Sequence, residues 1–317
     1  MERIERALEI ARLQRSARSE AAPSPAAASS AAPATPAAAP AAVPPSAPTA
    51  APVAAHHIGP ATVPRPVRTD GGVAAHAPGI HAVAAEVHKL PRYAMRMDGL
   101  RQRCVLLADD AGAAGRAYRM LRAQLLQRVR ASRMRVFGIV SAVSGEGKTI
   151  TAINLALTLA AEPNQQVALL DFDLRHPSIA QTLGIVPQTG LDTWLTDGPQ
   201  PASAVLCELE GIARLQVAPT LAPVSASSER LAGGRARALL EELRHQDAGR
   251  LIILALPPAL LSDDVLTVSP LVDGFIFVVT EGRTRREDVE RVIELVGRER
   301  IVGTVLNGSI DSEQRAY

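Results

Sequence analysis

The sequence predicts a doubly wound α/β fold with a mostly parallel sheet. Three observations predict it. From about residue 110, short apolar runs alternate with helix-like segments. The runs are apolar throughout rather than at every second position, so both faces of each strand are to be buried. The polar residues able to do chemistry cluster just after the runs, and ligands of open α/β sheets sit at the carboxyl ends of the strands.

The elements follow in order. Residues 112–130 read as a helix, and 134–143, apolar and β-branched, as a buried strand. A helix is predicted over 149–161, a strand over 166–171 and a short strand over 215–218. Residues 228–245 read as largely helical. Strands over 251–256 and 274–280, a helix over 285–297 and a last strand over 301–306 complete the pattern.

Upstream the composition changes. Residues 1–18 hold a short amphipathic helix: Ile4, Ala7, Leu8 and Ala11 share a face, and Glu2 and Arg6 are spaced for an i,i+4 pair. Residues 19–92 form a Pro/Ala-rich linker; 21–70 carry twelve of the 24 prolines and no aromatic residue. Such a stretch cannot bury enough apolar surface to offset its ordering entropy, and it is expected to be disordered. Its histidines (His56, His57, His76, His81 and His88) have no packed scaffold to fix them as ligands. The folded domain is expected over 93–310, with a tail at 311–317.

Net charge is +2, which gives no reason to expect a polyanionic partner. The basic run Arg116, Arg119, Arg122, Arg128, Arg130, Arg133 and Arg135 reads as a solvated helix face or, alternatively, as an interface with acidic subunits or anionic lipid; nothing suggests base readout, so nucleic-acid binding is not expected. The two cysteines, Cys104 and Cys207, have neither metal-ligand nor redox spacing, which suits a reducing compartment. No apolar run reaches the roughly 18 residues that span a bilayer, and no secretory pattern opens the sequence; a cytoplasmic location is expected.

The segment Ala142-Val143-Ser144-Gly145-Glu146-Gly147-Lys148-Thr149 fits the phosphate-loop pattern, with Ala in its first position. It follows a predicted strand and opens a predicted helix, the context the motif requires. Its glycines let backbone N–H groups turn inward around phosphate oxygens, and the helix N-terminus adds positive potential. Lys148 is assigned to the β/γ-phosphates and the Thr149 hydroxyl to Mg²⁺, with Ser144, Gly145, Glu146, Gly147 and Ile150 lining the cradle. The chain has only two lysines, Lys89 and Lys148, against 34 basic residues in all. A Lys kept in this loop suggests a compact ammonium is needed there. Downstream, the apolar run 167–170 ends in Asp171-Phe172-Asp173-Leu174-Arg175-His176-Pro177. Two carboxylates at a strand end, near a triphosphate, suit Mg²⁺ binding and acceptance of a proton from an attacking hydroxyl.

Together these motifs resemble the bacterial tyrosine kinases of capsule and exopolysaccharide export, within the wider MinD/ParA-like P-loop group. The resemblance spans about 112–310. It includes Thr151-Ala152-Ile153-Asn154-Leu155-Ala156 after the loop, the Asp171/Asp173/Arg175/Pro177 motif, Leu256-Pro257-Pro258 with Ser262-Asp263-Asp264, and Gly303-Thr304-Val305-Leu306-Asn307. It implies ATP and Mg²⁺ as cofactors, held by Lys148, Thr149, Asp171 and Asp173, with Asn307 near the adenine. It implies phosphorylation of tail tyrosines, here Tyr317, between copies of a homo-oligomer. It also implies a membrane polysaccharide co-polymerase, the chain-length determinant protein, as activating partner at the inner membrane.

Three departures bear on activity. Ala255 stands where the family's third acidic motif carries Asp. Tyr317 is the lone tyrosine of the tail. Arg116-x-x-Arg119-x-x-Arg122 replaces an oligomerisation motif that opens with Glu, which puts like charges at that contact. All three point to weakened autokinase turnover. Two other readings remain open: a non-catalytic nucleotide-binding regulator docked on the co-polymerase, and a MinD/ParA-type positioning ATPase. Val143, where that last group carries an extra Lys, argues against the positioning ATPase.

Overall fold

The structure is a computed structural model that describes residues 89–107, 110–196 and 200–309. The expected helix at 1–18, most of the linker and the tail with Tyr317 lie outside the described residues.

Eight strands form one sheet in the order β1-β4-β5-β3-β6-β2-β7-β8. They are β1 (Arg92–Tyr93), β2 (Val136–Ser141), β3 (Val167–Asp171), β4 (Cys207–Leu209), β5 (Ile212–Ala218), β6 (Leu251–Ala255), β7 (Gly274–Thr280) and β8 (Ile301–Asn307). Every pairing is parallel except β4 with β5. The predicted fold class is therefore borne out, with an antiparallel hairpin near one edge.

Alternation along the strands feeds two cores. On one face Val136, Val140, Ala168, Leu170, Ile252 and Leu254 pack under α4 (Leu191–Thr196), α5 (Ser227–Ala232), α6 (Gly234–Gln246), α7 (Asp264–Val268) and α8 (Arg286–Val296). On the other, Phe137, Ile139, Leu169, Ile253 and Ile276 pack under α1 (Ala113–Ser132), α2 (Lys148–Ala160) and α3 (Ile179–Leu183). Burial on both faces explains why the central strands read as continuous apolar runs. At about 25 cal/mol per Å² of apolar surface, these two layers are the main source of stability.

Helix α2 is buried at every position from Thr151 to Ala160. Buried Asn154 on it makes two long-range contacts: its Oδ1 accepts the Leu106 N–H at 2.9 Å and its Nδ2 donates to the Cys104 carbonyl at 2.9 Å. That one amide fastens the segment before α1 to the helix.

Where the structure differs from the sequence reading, the reasons are local. The helix expected over 228–245 is two helices, because Gly233 is extended (φ −61°, ψ 149°) between them. Strand β5 begins at Ile212, three residues before the expected start, because Gly211 (φ 79°) turns the chain back from β4. The short elements β1, β4, α3, α4 and α7 carry too few residues for periodicity to reveal them.

Candidate functional site

The phosphate-loop sequence leaves β2 at Ser141, and its last glycine caps α2. Gly145 (φ 77°) and Gly147 (φ 89°) both lie in the left-handed region, where a side chain would be strained. A Cβ on Gly147 would also stand 2.1 Å from Asn307 Nδ2.

The outward groups of the loop are satisfied by two other elements. The end of β7 and the turn after it supply three side chains: Thr280 Oγ1 donates to the Glu146 carbonyl at 3.0 Å, and Arg283 donates to the carbonyls of Ser144 and Gly145, each at 3.0 Å. The Thr284 hydroxyl pairs with Glu146 Oε1. At the end of β8, Asn307 Nδ2 donates to the Glu146 carbonyl at 3.1 Å. The Glu146 carboxylate is buried and its Oε2 accepts the Val143 N–H at 2.9 Å. Glu146 is thus tied down as a brace inside the loop. Asn307, expected near an adenine, sits on the loop itself. Ser144 is exposed on the loop, and Ile150 is half-buried on α2.

The acid pair lies at the end of β3, opposite the loop. Lys148 Nζ is 2.8 Å from Asp173 Oδ2, and the Asp173 side chain is 1% exposed. Asp173 Oδ1 accepts the His176 N–H at 3.1 Å. Asp171 Oδ2 accepts the N–H groups of Ser178 and Ile179, each at 3.0 Å, while its Oδ1 is buried with no hydrogen-bond partner. Burial raises the Asp171 carboxyl to about 7; those two N–H groups pull it down, and the charge of Asp173 adds to the rise. The Thr149 hydroxyl accepts from Ser178 Oγ at 3.1 Å. The structure therefore gathers Lys148, Thr149, Asp171 and Asp173 in one place.

The residues fit a magnesium–nucleotide complex on their own chemistry: glycine-freed amides and an ammonium for phosphates, a hydroxyl and an orphaned carboxylate oxygen for the cation. Ala255 sits directly beside Asp171 in the β3–β6 register, buried among apolar residues.

Arg175 extends away from this cluster. Its Nε donates to Ser227 Oγ at 2.9 Å and its Nη2 to Asp263 Oδ1 at 2.9 Å, and buried Asp264 accepts from Ser227 and Ser228. This network ties the loop after β3 to α5 and α7. The basic run is also partly structural. Arg116 and Arg119 donate to the carbonyls of Ala111 and Asp110, each at 2.7 Å. Arg122 pairs with Glu162 at 2.9 Å. Sequence reasoning missed Ser178, Thr280, Arg283 and Thr284, which come from separate turns and carry no motif of their own.

The profile of the ParA family, described as NUBPL iron-transfer P-loop NTPase, matches residues 133–311. The succinoglycan biosynthesis transport protein ExoP of Rhizobium meliloti is 31% identical over 60% of this chain, a match that spans 24% of ExoP's own length. The tyrosine-protein kinase YwqD of Bacillus subtilis is 24% identical over 69% of this chain and 91% of its own. Among solved structures, the VpsO kinase domain superposes with a TM-score of 0.54 at 27% identity, covering 62% of this chain and 95% of that one.

Proposed function

The chain belongs to the ParA family of P-loop NTPases, and from that premise we propose that it binds ATP with Mg²⁺ and acts as a tyrosine autokinase-like regulator of exopolysaccharide export, with slow phosphoryl transfer. The observation that carries this is the 2.8 Å pair between Lys148 and Asp173. It joins the phosphate loop and the acid motif into one site, as a phosphotransferase needs and a Gly-rich turn alone would not. The tyrosine-kinase name of YwqD and the kinase name of the VpsO domain support the same reading.

In this proposal the loop amides of 144–149 and Lys148 hold the phosphates, and Thr149 and Asp171 Oδ1 face the cation. When bound, Mg²⁺ would neutralise charge developing between the β- and γ-phosphates. The carboxylates of Asp171 and Asp173 supply an acceptor for the proton of an attacking tyrosine hydroxyl, Tyr317 being the acceptor in the tail. The buried walls of β3 and α2 keep water from the acid pair. Ala255 beside Asp171 supports the slow rate, because a missing support of a cation shell typically costs 10–100-fold. A membrane co-polymerase would recruit the chain to the inner membrane and switch it on. Among the described residues no helix is long and apolar enough to cross a membrane, so such a location would need a partner or anchor.

Cys207 does not favour an iron-transfer role. Cys207 is buried, its Sγ lies 3.3 Å from the Val217 carbonyl, and burial pushes its thiol up to about 12, far from a ready metal thiolate. Among the described residues no three or more His, Cys, Asp and Glu side chains come together around one point.

Incubation of purified protein with radiolabelled ATP and Mg²⁺ tests the proposal. Slow labelling of Tyr317, lost in Lys148→Ala, is the expected result. Labelling as fast as that of an intact kinase relative would overturn the slow-transfer part; ATP binding with no labelling would favour the non-catalytic regulator.

A further inference from the structure

We propose that Arg283 is a positioning residue that holds the phosphate loop in its ligand-ready shape, so that the turn after β7 sets nucleotide affinity. The inference rests on the nucleotide reading above. Its observations are separate from that reading.

The two carbonyls of Ser144 and Gly145 project from the loop, and a single guanidinium bridges them, Nη2 to Ser144 and Nη1 to Gly145, each at 3.0 Å. It lies so close that a Cβ on Gly145 would stand 2.8 Å from Nη2. Arg283 is exposed, and among the described residues it has no carboxylate partner. An exposed arginine gains little from solvent-facing packing, so its geometry is explained by the loop it spans.

A planar fork that fixes two consecutive carbonyls fixes the peptide planes that carry them, and with them the direction of the N–H groups of Gly145 and Glu146. Gly145 is exposed on the loop, so its amide is open to a phosphate, and the Glu146 plane fixes the turn behind it. The turn that presents Arg283 is itself built for the purpose. Gly282 (φ 70°) lets it close, Thr284 N–H donates to the Thr280 carbonyl, and Thr280 and Thr284 both grip Glu146. Without Arg283 the Glu146 contacts remain, so the fold stands while the Ser144–Gly145 planes are freed.

The test measures two quantities on the full chain and on Arg283→Ala and Arg283→Lys: backbone amide exchange at 144–147 without ligand, and calorimetric affinity for ADP·Mg. The expected result for Arg283→Ala is faster exchange confined to the loop, an unchanged melting temperature and ADP·Mg binding weaker by about tenfold, the equivalent of one hydrogen bond to a charged group. Arg283→Lys, whose single ammonium lacks the rigid fork, restores less than half of that loss on a logarithmic scale. Unchanged loop exchange in Arg283→Ala overturns the inference, as does affinity within twofold of wild type. Full rescue by Arg283→Lys overturns it as well, since charge near the phosphates would then suffice. Failure of the wild-type chain to bind ADP·Mg would instead sink the nucleotide reading, and the exchange arm would still judge Arg283 alone.

Discussion

The two sides of the candidate site are finished to different degrees. On the phosphate side, the outward carbonyls from Ser144 to Glu146 have partners, and Glu146 is held by both its oxygens. On the cation side, Asp171 keeps one buried oxygen without a partner, its carboxyl is raised to about 7, and the neighbouring strand offers the methyl group of Ala255. A cradle for anions is preorganised, whereas the place for a cation depends on what the ligand brings. On the proposed function, affinity and turnover would thereby be separable, the first resting on the loop and the second on the acid pair.

The largest effect is expected from breaking the link between the two sides. Lys148→Ala should weaken ATP·Mg binding by about 100-fold or more, read by calorimetry. It should also lower stability, because removing one member of a buried pair typically costs about 3–5 kcal/mol. Completing the cation side comes next. Ala255→Asp should raise the apparent Mg²⁺ affinity by about tenfold, measured by Mg²⁺ titration of a fluorescent nucleotide, and should speed Tyr317 labelling. An unchanged Mg²⁺ titration would show that the sheet position beside Asp171 does not serve the cation.

A pH experiment isolates Asp171 itself. Its folded-state value, about 7, lies above the value of about 3.9 usual for an unfolded Asp. Between those values the unfolded chain has lost the proton that the folded chain keeps. In Mg²⁺-free buffer, this group's contribution to stability is therefore full below about pH 4 and is lost as pH rises through about 7. Asp171→Asn should remove that part of the slope, seen in urea midpoints across the range. The smallest effect is expected at α1. The Arg122–Glu162 pair is partly exposed, and Arg122→Ala should cost only about 0.5–1 kcal/mol in urea unfolding.

Much of this site was legible in the sequence because its central residues follow strands and sit in motifs whose spacing reflects a backbone requirement. Lys148 and Thr149 follow a loop that needs two left-handed glycines, and Asp171 and Asp173 follow an apolar run. The central sheet was legible for a related reason, since strands buried on both faces leave unbroken apolar runs. The braces were not legible. Arg283, Thr284 and Ser178 belong to turns far from the loop in sequence, and one arginine among many gives no periodic signal. The brace made by the Glu146 carboxylate was not legible either, because its partners Val143 and Thr284 are brought to it only by the fold. Arg116, Arg119 and Arg122 look like a charge stripe in sequence, yet each of the three has a specific partner within its own chain.

The pairing of Lys148 with Asp173 also bears on which anions the proposed site would accept. A bare phosphate or pyrophosphate that captured the ammonium would strand a carboxylate that is 1% exposed, next to a second buried carboxyl. An anion that arrives with its own divalent cation repairs that loss as it causes it. On the nucleotide reading, the ion pair would favour metal-complexed anions over bare ones.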